Sequence, residues 1–170
     1  TAVAWSVALT NRNKPTAMLL SRQNLPYAPK NGEAIGNISR GAYVLSEPSD
    51  VGMNKKAQAV IIATGSEVQL ALKAQRLLAE KKIAVRVVSM PSTTTFDKED
   101  MAYKLSVLPA ALPRIAVEMG VTDFWWKYGC AAVIGIDTFG ESAPAGVLFE
   151  HFGFTADNVA NTVQEALRKR

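Results

Sequence analysis

Two rhythms of hydrophobic and polar positions run through this chain, and the switch between them is clearest from residue 57 to residue 92. Residues 59–63 (Ala-Val-Ile-Ile-Ala) form an unbroken apolar run, as expected of a strand covered on both faces. Thr64-Gly65-Ser66 then turns the chain, and the period changes. Leu70, Ala71, Ala74, Leu77 and Leu78 fall on one helical face, while Gln69, Lys73, Arg76 and Glu80 fall on another. Ser66 is placed to cap this helix, and Gln69, three residues on, to complete a capping box. Lys81 and Lys82 follow where the helix dipole favours cations. Residues 85–88 make a second, β-branched strand that ends before Pro91. A strand–helix–strand unit of this length pairs its strands in parallel through a right-handed crossover.

Downstream, the same alternation continues. Asp97 is placed to cap a short helix over 98–104, residues 114–118 read as a third buried strand, and residues 132–136 as a fourth. Between the last two, Thr122 or Asp123 can cap a short aromatic helix, 124–128. A long loop from Asp137 to Ala145 leads to a helical turn over 147–152. Thr155 opens a final helix with Val159, Val163, Ala166 and Leu167 on one stripe.

Upstream, the pattern differs. Residues 2–9 read as the tail of an apolar-faced helix, 11–14 as a turn, and 16–20 as a strand. A lone helix and strand cannot bury themselves, so residues 1–25 read as the remnant of a preceding domain. Pro26, Pro29, Gly32 and Gly36 punctuate a stretch without periodicity, which makes 26–41 a linker. Residues 41–46 form a short strand. A loop around Pro48 and Gly52 is expected to return it directly against 59–63 as an antiparallel edge pair. The expected architecture for 42–170 is a three-layer α/β/α domain whose sheet is mostly parallel, with one antiparallel edge strand.

Composition narrows the function classes. The chain has 170 residues, of which 48% are hydrophobic and 20% charged, a globular balance. Its net charge of +4 is spread along the sequence without interleaved aromatics, which argues against nucleic-acid binding. The closing Arg168-Lys169-Arg170 reads as a solvated helix end. No apolar run reaches membrane-spanning length, so no membrane partner is expected. The single cysteine, Cys130, excludes an internal disulfide and suits a cytoplasmic setting.

Most motif-borne chemistry is missing. No Gly-x-Gly-x-x-Gly follows a strand, no phosphate-binding Gly-x-x-x-x-Gly-Lys occurs, and the Gly140-Glu-Ser142 run lacks the second glycine of a nucleophile elbow. His151, the only histidine, lies in a helical segment and reads as a packing or surface residue. One histidine and one cysteine do not supply an ordinary zinc site, and no metal is expected. What remains are the loops at the strand ends, where ligands of open α/β sheets bind. Gly65, Ser66, Glu118 and Asp137 mark a candidate crevice there, which would suit a small-ligand-binding regulatory module. The pair Trp125-Trp126 reads as core or interface packing.

Four motifs then point in one direction. Ser21-Arg22-Gln23-Asn24-Leu25-Pro26, Ile62-Ala63-Thr64-Gly65-Ser66-Glu67-Val68, Arg86-Val87-Val88-Ser89-Met90-Pro91-Ser92 and Thr138-Phe139-Gly140-Glu141-Ser142-Ala143-Pro144-Ala145 occur in order. Together they closely resemble the C-terminal part of bacterial transketolases. The resemblance implies the end of a pyrimidine-binding domain followed by the C-terminal α/β domain. It also implies a homodimeric parent enzyme that moves a two-carbon ketol unit between sugar phosphates of the pentose phosphate pathway. The parent's thiamine diphosphate and divalent metal (Mg or Ca) are held by motifs with no counterpart here, so no cofactor and no catalytic residue is expected in this chain, which should be inert alone. Its partners would be the remaining domains and a second subunit. One site residue carries over from the resemblance: Arg22, matching the family arginine that contacts the substrate phosphate.

Overall fold

The computed structural model describes residues 1–28, 30 and 32–169. Pro29 and Arg170, used above as linker punctuation and as part of a basic helix end, lie outside the described residues.

Five strands form one sheet in the order β1-β3-β2-β4-β5. They are β1 (Tyr43–Ser46), β2 (Ala59–Ala63), β3 (Val85–Ser89), β4 (Arg114–Val117) and β5 (Cys130–Ile134). β2 is parallel to both β3 and β4, and β5 is parallel to β4. β1 is the one antiparallel strand, and it pairs with β3 rather than β2, with Val44 opposite Val88. The expected return of the 41–46 strand against 59–63 is therefore corrected. The reason is burial: every residue of β2 is fully buried, so this strand takes the centre and both its edges go to parallel partners. The loop after β1 is no hairpin turn either. It closes as a 3-10 turn, Pro48–Val51, and leaves through Gly52 at φ 76°.

Alternate residues of the central strands serve two separate cores. Ala59, Ile61 and Ala63 face α3 (Val68–Glu80) and α7 (Ala156–Arg168), with Leu78, Val87, Val117, Phe154, Val159 and Val163. Val60 and Ile62 face the opposite layer, with Met90, Phe96, Val107, Ala116 and Trp125. That layer is built from α4 (Thr93–Phe96), α5 (Met101–Val107) and the 3-10 turn Asp123–Tyr128. The three-layer α/β/α expectation holds. α7 starts as expected, its Thr155 hydroxyl accepting from the Asn158 N–H.

Several local expectations change. The helix placed at 98–104 is instead two helices, capped by Ser92, which accepts from Thr95 N–H, and by Asp100, which accepts from Tyr103 N–H. Asp97 binds Lys127 Nζ and the Tyr128 hydroxyl instead. β5 begins at Cys130, two residues before the expected start. Residues 16–20 form no strand: they have no sheet partner, and Leu19 is 92% exposed. The helix over the first residues does form, as α1 (Ala2–Thr10), and buries no side chain. Within the stretch read as irregular, α2 (Gly32–Asn37) tucks Ala34 against β1. A 3-10 turn, Ile38–Arg40, then leads to Gly41. There φ is 88°, and the Gly41 carbonyl accepts from Ser92 N–H at 2.9 Å. α6 (Ala145–His151) fills the last predicted helical turn.

One buried polar group ties the layers together. Gln75 of α3 is 1% exposed; its Oε1 accepts from the Ser46 hydroxyl at 2.8 Å and its Nε2 donates to the Val85 carbonyl at 2.9 Å. The amide thus bolts the antiparallel edge strand to the helix above it.

Candidate functional site at the carboxyl ends of the strands

β2 marks the point where strand order reverses, since β3 lies to one side of it and β4 to the other. In open α/β sheets ligands gather outside the strand ends at such a point. A crevice of about 520 Å³ lies there, lined by Thr64 after β2, Met90 to Thr94 after β3, and Glu118, Gly120 and Val121 after β4. Phe124 and Trp125 wall it, and Ala17 of the N-terminal segment closes one side. No lysine or arginine is among its lining residues, and Glu118 gives it negative character. A phosphate would find repulsion there without a counter-charge.

Of the sequence-selected residues, Glu118 lines this crevice, while Gly65, Ser66 and Asp137 do not. Glu118 Oε2 accepts the indole N–H of Trp125 at 2.7 Å. Asp137 is an exposed staple: it accepts from the Thr122 N–H at 2.8 Å and from the Thr122 hydroxyl at 2.7 Å. Those two bonds lower its pKa below the ordinary aspartate value. The tryptophan pair divides, with Trp125 fully buried against Phe124 and Tyr128, and Trp126 exposed. His151 is exposed and packs edge-on against Phe152.

Ser66 does not cap α3, contrary to expectation. A 3-10 turn, Gly65–Glu67, intervenes between β2 and α3, with Gly65 at φ 54°. The Ser66 hydroxyl donates to the Glu67 carboxylate at 3.1 Å. Gln69 closes no capping box: its Nε2 donates to the Pro26 carbonyl at 3.1 Å. The extra tight turn pushes the start of α3 two residues past Ser66, out of reach of the donors it would have capped.

Glu67 itself is 5% exposed. Burial raises its pKa and the nearby Glu118 charge adds to the rise, against hydrogen bonds from its own backbone, Ser66 and the Met119 N–H. The sequence carried a signal for this buried acid. Glu67 stands four residues before Ala71, on the same stripe as Ala74 and Leu78. Gln75, also missed, sits between the last two of these.

Arg22 is exposed and has no hydrogen-bond or ion-pair partner among the described residues. Its neighbour Ser21 lies over Gly65: a Cβ placed on that glycine would meet the Ser21 Oγ at 3.9 Å. Two features selected separately from the sequence are therefore brought together at the end of β2.

The mixed five-stranded sheet, its helices on both faces and the strand-end crevice define a doubly wound α/β domain with one antiparallel edge. The family of the transketolase-like C-terminal domain matches residues 41–155, and the chain belongs to the transketolase family. Transketolase 1 of Escherichia coli is 49% identical over 169 residues, covering 98% of this chain and 25% of that protein. The chain thus spans about a quarter of the length of the curated relatives it matches. Transketolase from Leishmania mexicana superimposes on 99% of this chain and 24% of its own, with a TM-score of 0.88 and 40% identity. A split-gene transketolase described as an inactive β4 tetramer shares the architecture over 86% of this chain and 48% of its own, with a TM-score of 0.61 and 25% identity.

Proposed function

We propose that this chain is the C-terminal part of a homodimeric, cytoplasmic transketolase, which transfers a two-carbon ketol unit between sugar phosphates. In this reading residues 42–170 form the end domain and serve subunit assembly and stability. Residues 1–25 complete the preceding pyrimidine-binding domain, and 26–41 join the two. The observation that carries the reading is the coverage: nearly all of this chain aligns with about a quarter of each relative. The apolar surface upstream supports it. Trp5, Leu9, Leu19 and Leu20 are 53%, 69%, 92% and 66% exposed, a surface suited to burial against further protein.

Among the described residues no three His, Cys, Asp or Glu side chains stand together as metal ligands. The donor set here does not fit thiamine diphosphate with its divalent metal, and both are assigned to the rest of the enzyme. The chain's contribution to substrate binding is Arg22, whose guanidinium can grip two phosphate oxygens at once. Alone, the chain is inactive, a reading in keeping with the inactive assembly of the split-gene relative.

The test is reconstitution. The purified chain with thiamine diphosphate and magnesium should show no ketol transfer. Full-length enzyme bearing this sequence should turn over, and its Arg22→Ala variant should lose affinity for phosphorylated substrates far more than for unphosphorylated ones. Turnover by the isolated chain, or equal losses on both substrate kinds, would overturn the proposal.

A second reading, a small-ligand regulatory module, is favoured by the 520 Å³ crevice alone. Its lining suits a neutral, hydroxyl-bearing ligand better than a nucleotide or sugar phosphate. Flat calorimetric titrations with neutral polyols would remove it.

A further inference from the structure

Among the described residues Glu67 is the one buried acid, 5% exposed. Protein added over this edge of the sheet can only deepen that burial. The parallel register sets Ala63 opposite Val117, so β2 and β4 end side by side. Beyond β2 the 3-10 turn folds back, with the Glu67 N–H donating to the Thr64 carbonyl at 3.2 Å. The Glu67 carboxyl then crosses to the end of β4 and accepts the Met119 N–H. Thr64 and Glu118, the residues on either side of this crossing, both line the strand-end crevice.

The surroundings suit a neutral acid. Ser66 Oγ lies 3.2 Å from Glu67 Oε1 and 3.1 Å from Oε2. A hydroxyl both donates and accepts, so a proton on either carboxyl oxygen finds an acceptor there. Among the described residues no lysine or arginine forms an ion pair with Glu67. Glu118 faces it from β4 with a like charge, while Lys73 and Arg76 of α3, behind the turn, are exposed. Arg22 and Asp137, the charges nearest this edge on the other segments, are exposed as well. A buried charge with a like neighbour and no counter-ion is costly.

We infer that Glu67 is a proton-operated latch, which joins the turn after β2 to the end of β4 across the crevice. Neutral, it holds Met119 and keeps the two strand ends together. Ionised, it turns toward water, releases the Met119 N–H and frees the Gly65–Glu67 turn. Burial first, and the Glu118 charge after it, raise its pKa. The latch is therefore closed below the folded value and opens as pH rises through it. The inference rests on this domain alone and is independent of the role given to Arg22.

Hydrogen exchange read by mass spectrometry tests it, on peptide 115–121 of full-length transketolase carrying this C-terminal sequence. Exchange rates are corrected for the intrinsic effect of pH. Protection at Met119 should fall roughly three- to tenfold as pH rises, the worth of one hydrogen bond. Glu67→Gln cannot ionise, so its protection should not vary with pH. Glu118→Gln removes the neighbouring charge and should move the wild-type midpoint to lower pH. In the wild-type 170-residue chain, NMR titration of the Glu67 carboxyl carbon and of the Met119 amide should give one shared midpoint, above the ordinary glutamate value of about 4.3. That measurement decides the matter without either variant. Wild-type protection that ignores pH overturns the latch. So does a fall that persists in Glu67→Gln, a midpoint unmoved in Glu118→Gln, or separate midpoints for the carboxyl and the amide.

Discussion

The indole N–H of Trp125 donates to Glu118 Oε2 at 2.7 Å, joining the turn before β5 to the residue just after β4. The bond gives the indole N–H of a fully buried tryptophan a partner and fixes the carboxylate at the rim of the crevice.

Trp125→Phe keeps an aromatic ring, removes that donor and leaves part of the buried indole volume empty. Glu118 is only partly buried, so water can replace part of what is lost. Urea unfolding should show destabilisation of about 1–2 kcal/mol, with an unchanged m-value.

Glu67 makes stability depend on pH. Burial raises its folded pKa above the unfolded value, so the folded chain holds a proton that the unfolded chain releases. Its stabilising contribution is complete below the unfolded value of about 4.3 and is lost as pH rises through the folded one. Glu67→Gln should therefore be more stable than the parent at pH 7, and the advantage should disappear near pH 4. Denaturant midpoints across that range provide the check.

Gly41→Ala should be among the most damaging single changes. Its φ of 88° is hostile to a side chain, and an added Cβ would lie 2.5 Å from the Phe96 nitrogen and collide with the Ser92 carbonyl oxygen. Both neighbours are backbone and cannot swing aside. A loss of about 3 kcal/mol or more is expected, read as a fall in thermal midpoint.

Cys130 should be a poor nucleophile. Burial pushes its thiol up to about 11, against the opposing influence of the nearby Arg114. At pH 8 its thiolate fraction is on the order of 100-fold below that of an ordinary cysteine. Iodoacetamide should label the folded chain slowly and the urea-unfolded chain readily, with comparable rates in both counting against the partly buried placement.

The legible parts of the fold were those where one residue pattern had one outcome. The run at 59–63 could only be a covered strand, and the stripe through Val159 and Val163 could only be a helix face. Thr155 capped α7 as its position required. The misread parts involved competition. Ser66 and Glu67 are adjacent, and the hydroxyl went to the carboxylate instead of the helix. Asp97 and Asp100 could each cap a helix, and Asp100 does so while Asp97 holds Lys127 and Tyr128, some 30 residues away in the chain. Residues 16–20 have strand composition, but composition cannot supply a neighbouring strand. The assignment of Arg22 rests on its motif alone, since nothing in charge or periodicity distinguishes it from other exposed arginines.

The even and odd residues of β2 serve different masters. Ala59, Ile61 and Ala63 fit beneath two long helices, while Val60 and Ile62 meet the aromatic layer. A slip of this strand by one position would exchange the contents of both compartments together, overfilling one while hollowing the other. The middle of the sheet therefore works as a keyed lock, in which an error on either side is punished on both.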